Sequence, residues 1–252
     1  MIDSPLIVIS NMTDISERQK QLLKAVIELY VKIGEPISSD QIEKNYHLGV
    51  SPATIRNEMV RLTDAKYLKQ PHTSAGRVPT STGFRLYINE LMKEKAMSVV
   101  DEVAIRQQLM DSRSHFDRMV QTATRALAKK CGTLALAIHD GNVYYTGASN
   151  ILDIPEFFDI DVARFVLSLF DEFSVLQQII DKAQGTESLH IIFGEETGYE
   201  HLLPTSFAFL NFDSRSEIPG VIGVIGPDRL NFPVVLPYLR YIGEVLSEGG
   251  RI

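Results

Sequence analysis

From residue 15 onward the chain alternates apolar and polar positions with a helical period: Leu22, Leu23, Val26, Ile27, Tyr30 and Ile33 fall on one face of residues 15–33. Ser16 is placed to cap that helix and Gly34 to stop it. After Pro36, Ser38 and Gln41 have the spacing of a capping box, which predicts a second, short helix running to about Tyr46 and closed by Gly49. Ser51-Pro52 then supplies an N-cap followed by proline at the first helical position, where the missing N–H costs nothing. In the helix that starts there, Ile55, Met59 and Leu62 share the inner face, which leaves Ala53, Arg56, Asn57, Val60 and Arg61 outward.

Tyr67–Gln70 and Arg77-Val78 are short strand-like pieces around a Thr-Ser-Ala-Gly turn, and Pro71 and Pro79 confine them to a sheet edge or to strand ends. Three helices and a hairpin make a winged helix-turn-helix. Residues 81–95 return to helix, with Phe84, Leu86, Tyr87, Ile88 and Leu91 apolar. From Ser98 to Lys130 there is no proline or glycine, and Ile105, Leu109, Phe116, Val120, Ala123 and Leu127 predict one long connecting helix. Its stripe is suited to covering the second domain or pairing with another subunit, while Ser112 and Ser114 argue against a long regular coiled coil.

Beyond Gly132 strands and helices alternate. Thr133–His139 and Val143–Tyr145 flank an Asp140-Gly141 hairpin signal, Val162–Ala183 reads as helix, and Leu189–Phe193, Ser206–Phe212 and Val221–Ile225 read as strands. Asn231–Ser247 is an amphipathic segment in which Pro233 and Pro237 limit regular helix to the part after Tyr238. The fold class expected is α+β, with a leader at 1–13, a winged-helix DNA-binding domain at 14–95, a connecting helix at 96–131 and an α/β domain at 132–252.

Composition narrows this picture. The 252 residues are 44% apolar, enough for two modest cores. A lone cysteine, Cys131, excludes a disulfide framework and fits a reducing cytoplasm. The apolar run Leu6–Ile9 is too short for a signal-peptide core or a membrane span, so a soluble, cytoplasmic chain is expected. A net charge of −7 argues against a nucleic-acid partner until its distribution is considered. Residues 51–88 carry six basic side chains against two acids, a balance of +4, whereas residues 96–252 carry 12 against 21, a balance of −9. A basic reading head on an acidic body is the implied arrangement.

The outward face of the third helix has the chemistry of the major groove, where arginine bonds guanine O6 and N7 and asparagine bonds adenine N6 and N7. Arg56 and Asn57 are the base-reading candidates, with Arg61 on the same face. Ser51 and Thr54, at the positive end of the helix, suit a phosphate or a thymine methyl. His72, Thr73, Ser74, Gly76 and Arg77 give the hairpin the hydroxyls, open backbone and guanidinium that a wing uses on phosphates or in a minor groove. The plain alternative for Arg56 alone is a solvated surface charge; the wing behind it shifts the balance to DNA.

Other motifs carry less. Gly220-x-x-Gly223-x-x-Gly226 lacks the lysine and hydroxyl of a phosphate loop and reads as glycines in and after a buried strand. Gly194-Glu195-Glu196-Thr197-Gly198 reads as a strand-end turn. The six histidines have no metal-ligand spacing, so no metal, cofactor or catalytic residue is assigned.

Ser51–Met59, Tyr67-Leu68 and Gln70–Thr80 together resemble the HrcA family of bacterial heat-inducible transcription repressors, and 150–157, 192–196 and 220–230 look like later blocks of the same family. That resemblance implies a homodimer that binds an inverted-repeat operator, CIRCE, upstream of heat-shock chaperone genes. It also implies a C-terminal GAF-like domain and the chaperonin GroEL as the partner that keeps the repressor active. Only about 20 residues separate Lys130 from Asn150, fewer than the family carries there, so the chain looks like a shortened member with a reduced GAF-like domain and no inserted dimerisation module. Two rival readings remain at this point: a winged-helix regulator whose C-terminal domain senses a small molecule, and an enzyme with a winged-helix appendage. The enzyme would need a pocket converging on Asp140, Glu195 and His139.

Overall fold

In the computed structural model, residues 15–183, 188–214 and 219–250 are described, and contacts divide the chain into two units, Met1–Lys93 and Glu94–Ile252. The leader at 1–13 and its apolar run lie outside the described residues.

The N-terminal unit opens with α1 (Glu17–Ile33), α2 (Ser39–Asn45) and α3 (Pro52–Asp64). Ser16 and Ser38 each make the reciprocal capping box with Gln19 and Gln41, and Gly34 ends α1 in the left-handed conformation. Helix α2 stops at Asn45, before Gly49. The inner faces meet in a core of Leu22, Leu23, Val26 and Ile27 from α1, Ile42 from α2, and Ile55, Met59 and Leu62 from α3. A two-stranded antiparallel hairpin follows, β1 (Leu68–Lys69) and β2 (Val78–Pro79). Helix α4 (Ser81–Leu86) then runs into a wide turn over Tyr87–Leu91, in which Met92 N–H reaches back five residues to the Tyr87 carbonyl. Thr80 caps α4 by accepting the Gly83 N–H and donates its hydroxyl to the Lys66 carbonyl at 2.6 Å.

The C-terminal unit begins with a helical pair. The expected long connecting helix is two helices, α5 (Val99–Met110) and α6 (Phe116–Cys131). Three of residues 111–115, Ser112, Ser114 and His115, are poor helix formers, so the break is cheap there. The two lie antiparallel: Asp101 near the start of α5 takes Lys130 near the end of α6 at 2.5 Å. The hydrogen bonds from Lys130 and then Tyr238 hold the Asp101 carboxyl below its ordinary range, and the Tyr238 phenol is pushed up to about 12.

Next come the hairpin β3 (Leu134–His139) and β4 (Asn142–Thr146), with both turn residues, Asp140 and Gly141, at positive φ as a two-residue hairpin turn requires. Helices α7 (Ile160–Ser168) and α8 (Phe173–Asp181) replace the single helix expected over Val162–Ala183. Leu169 is buried at the break, so packing bends the chain where local sequence would continue it. Strand β5 (Leu189–Phe193) leads through a one-turn helix α9 (Gly194–Thr197) to β6 (Thr205–Phe212) and β7 (Gly220–Pro227), and α10 (Phe232–Gly250) closes the described chain. Helix α10 is regular through Pro237, against expectation. The Pro233 carbonyl that Pro237 leaves without its helical donor accepts the Lys95 N–H at 2.8 Å instead.

The five strands form one antiparallel sheet in the order β4-β3-β7-β6-β5. Leu134, Leu136, Phe207, Phe209 and Ile225 face α7 and α8 in one core. The alternate residues face α6 and α10, where His139 packs edge-on against Phe116 and Gly243 lets α10 approach Leu210. His139 is buried and its Nδ1 lies 3.1 Å from Asp117. At the sheet's end Arg229 and Glu156 make a two-pronged ion pair with both side chains largely buried. Replacing Glu156 with leucine takes the carboxylate from a largely buried guanidinium and costs about 3 kcal/mol in urea unfolding, whereas adding Arg229→Met recovers more than half of that loss. A double variant no better than the single one would show that the pair's worth is not electrostatic.

Candidate nucleic-acid interface

The candidate surface is built around the start of α3. Ser51 is extended, and its Oγ accepts the Thr54 N–H at 3.3 Å, while the two hydroxyls stand 3.0 Å apart. The first turn of α3 carries no acid, so the positive end of the helix is left for an anion. Arg56 and Asn57 are exposed, and neither side chain has a hydrogen-bonding or ionic partner among the described residues. Their donors and acceptors are open to a base edge. Arg61 is held by Glu58 at 2.8 Å yet keeps 67% of its side chain exposed, a pair of the kind worth little and readily exchanged for a phosphate. The Glu58 side chain is itself largely buried and accepts a bond from Gln19 of α1 at 3.0 Å, which fixes the charge beside the arginine.

The hairpin is an ordered wing. His72, Thr73 and Ser74 are exposed at its tip. Ala75 N–H bonds the His72 carbonyl at 2.8 Å, and Ser74 Oγ lies 3.3 Å from His72 Nδ1. Gln70 closes the tip from inside, donating to the Thr73 and Ala75 carbonyls at 2.9 and 3.0 Å. Lys66 and Lys69 are exposed between α3 and the tip, and Lys66 sits at φ 68° in the turn joining them.

Gly76 and Arg77 act at the base of the wing. Arg77 and Ile37 exchange N–H···O bonds, both 2.8 Å, so Ile37 contributes a third, one-residue strand. A Cβ on Gly76 would stand 2.3 Å from the Ile37 carbonyl oxygen, which is why glycine is required. The Arg77 guanidinium is half-buried and donates from Nε to Thr63 Oγ1 at 3.0 Å, tying the wing to α3. Thr63 in turn donates to the Met59 carbonyl. Behind this surface the Tyr46 phenol is pushed up to about 12, and that of Tyr87 is also raised, by burial first and by Glu28 second.

The structure therefore brings Ser51, Thr54, Arg56, Asn57 and Arg61 onto one helix and His72, Thr73 and Ser74 onto the tip. Gly76 and Arg77 join the two. Sequence reasoning gave no role to Ile37, Thr63 or Gln70. Only Gln70 left a signal, an amide directly before Pro71 and a tight turn with carbonyls to fill.

The profile described as the winged helix-turn-helix transcription repressor, HrcA DNA-binding, matches residues 14–91, and the HrcA protein C terminal domain matches 57–236. The chain belongs to the HrcA family. Its family is one of winged-helix transcription repressors, not of enzymes. The heat-inducible transcription repressor HrcA of Symbiobacterium thermophilum is 27% identical over 339 positions, covering 94% of this chain and 99% of that one. The HrcA of Geobacter sulfurreducens is 26% identical, covering 94% and 98%. The alignment of 339 positions exceeds the 252 residues here by 87, so at least that many positions of the first relative face gaps in this chain. A crystal structure of a hypothetical protein superposes with a TM-score of 0.76 at 17% identity, over 94% of this chain and 98% of that one, and shows the same fold. Among the described residues no group of His, Cys, Asp and Glu could hold a metal, and no helix is long and apolar enough to cross a membrane.

Gly76→Ala should cost the N-terminal unit more than about 2 kcal/mol in thermal unfolding, since the Ile37 backbone cannot yield cheaply. A change within about 0.5 kcal/mol would mean that the wing base is not built as described. Arg77→Lys keeps the charge but loses the Nε–H bond to Thr63. It should lower the melting temperature, whereas Thr54→Ser, which keeps the hydroxyl, should leave it nearly unchanged.

Proposed function

We propose that the chain is a cytoplasmic repressor that binds the CIRCE inverted repeat upstream of heat-shock chaperone genes as a homodimer. The observation that carries this reading is the pair Arg56 and Asn57, exposed and without a partner among the described residues, on a capped helix that a wing holds in place. Ser51, Thr54 and Arg61 then take phosphates beside the major groove, and His72, Thr73, Ser74 and the Gly76-Arg77 backbone follow the strand next to it. A two-fold dimer matches an inverted repeat, each protomer taking one half-site.

Residues 132–252 form a reduced GAF-like domain in this reading, supported by an antiparallel five-stranded sheet with helices on both faces. GroEL, the partner implied by the family, keeps the repressor competent to bind. A C-terminal domain that senses a small molecule would need room on the α7 and α8 face of the sheet. That space is filled by Leu136, Ile151, Phe157, Val166, Leu176 and Phe207.

Two substitutions test the interface. Arg56→Ala should cost about 1–3 kcal/mol on the operator and relax preference at one base pair, measured by titration against duplexes altered at single positions. Arg61→Ala should weaken all duplexes alike and lower the salt slope by about one. Equal losses on operator and random DNA for Arg56→Ala would remove the base-reading role.

A further inference from the structure

We infer that Val60 reads the C5-methyl group of a thymine in the operator, one step beyond the base contacted by Asn57. The inference rests on the operator-binding reading above and names a specificity contact that the arginine and asparagine do not supply.

Helix α3 buries Ile55, Met59 and Leu62, so the line diametrically outward runs through Ala53, Asn57 and Val60 at spacings of four and three. All three are exposed. Arg56 and Arg61 flank this line. Its middle therefore offers a groove floor one amide and two apolar groups, the set that meets adenine N6 and N7 and a thymine methyl. Asp64, exposed one turn on, ends the stripe with a charge that phosphates avoid.

Val60 is 41% exposed and, with Ile33 at the end of α1, is one of two exposed large hydrophobics in the N-terminal unit among the described residues. Isolated exposed apolar residues need no explanation as such. The position of this one does. Valine is a mediocre helix former, and at this outward site about two-fifths of its surface stays open in the free protein. Its branched side chain holds essentially one χ1 rotamer in a helix, so its two methyls are presented at a fixed place with little rotational freedom left to lose. Along the helix axis Val60 stands about 4.5 Å beyond Asn57, close to one base-pair step of about 3.4 Å. With the amide on an adenine, the methyls face the neighbouring pair, where thymine is the base that offers an apolar group in the major groove.

The test is binding of the intact protein to the CIRCE duplex and to versions in which each thymine of a half-site is replaced singly by deoxyuridine, which removes only the methyl. Wild-type protein and Val60→Ala are compared, alanine being the better helix former, so the variant keeps its fold. One deoxyuridine duplex should bind the wild type about fourfold more weakly, the value of one buried methyl group, and should bind Val60→Ala no more weakly than the thymine duplex does. Specific binding in which no methyl matters, or in which its loss weakens both proteins equally, overturns the Val60 contact and leaves operator recognition standing. Binding that does not distinguish CIRCE from a scrambled duplex overturns both.

Discussion

The reading head depends on one seam. Ile37 and Arg77 exchange both backbone hydrogen bonds, Gly76 has no side chain because the Ile37 carbonyl occupies its place, and the Arg77 guanidinium reaches across to Thr63 on α3. A free two-residue hairpin is marginal in water. Here the hairpin is sewn to the segment before α2 on one side and to α3 on the other. The exposed groups at the wing tip and on α3 can then meet a duplex together, so the entropy of aligning them is lost in folding and not in binding. Arg77 is thus taken up chiefly in fixing the wing against α3, while Arg56 and Asn57 stay exposed.

The C-terminal unit follows a different economy. Its sheet is covered on both faces, so the central strands β6 and β7 are apolar nearly throughout and show no alternation of polar and apolar residues. The relatives' additional positions have no counterpart here, yet each of the five strands pairs along its length. Short polar ties fasten the loop that follows β4: Asn150 donates to the Thr133 carbonyl, Thr133 donates to the Ile225 carbonyl, and Glu156 holds Arg229. The blocks at 150–157 and 220–230 are therefore two halves of one structural joint.

Much of this was legible in the sequence because it is local. Ser16, Ser38 and Ser51 cap helices through groups three residues away, and Asp140-Gly141 sets its turn by its own backbone, so pattern alone finds them. What escaped is decided at a distance. The chain breaks at residues 111–115 and around Leu169 with neither glycine nor proline, because buried side chains on either side must reach one core. Helix α10 runs through Pro237 because Lys95, far away in sequence, takes the carbonyl that proline leaves open. Among the site residues, the helix face and the wing tip were visible as residue types. Ile37, Thr63 and the bracing use of Arg77 were not, since a single bridging residue and one guanidinium contact leave no periodicity.

The most direct test of the account is binding of the purified protein to the CIRCE duplex and to a scrambled duplex over a salt series, with the mass of the complex determined in solution. The account predicts tight, sequence-selective binding by a dimer, with affinity falling steeply as salt rises because phosphate contacts release counterions. Binding by a monomer, or binding that ignores the sequence, would contradict it.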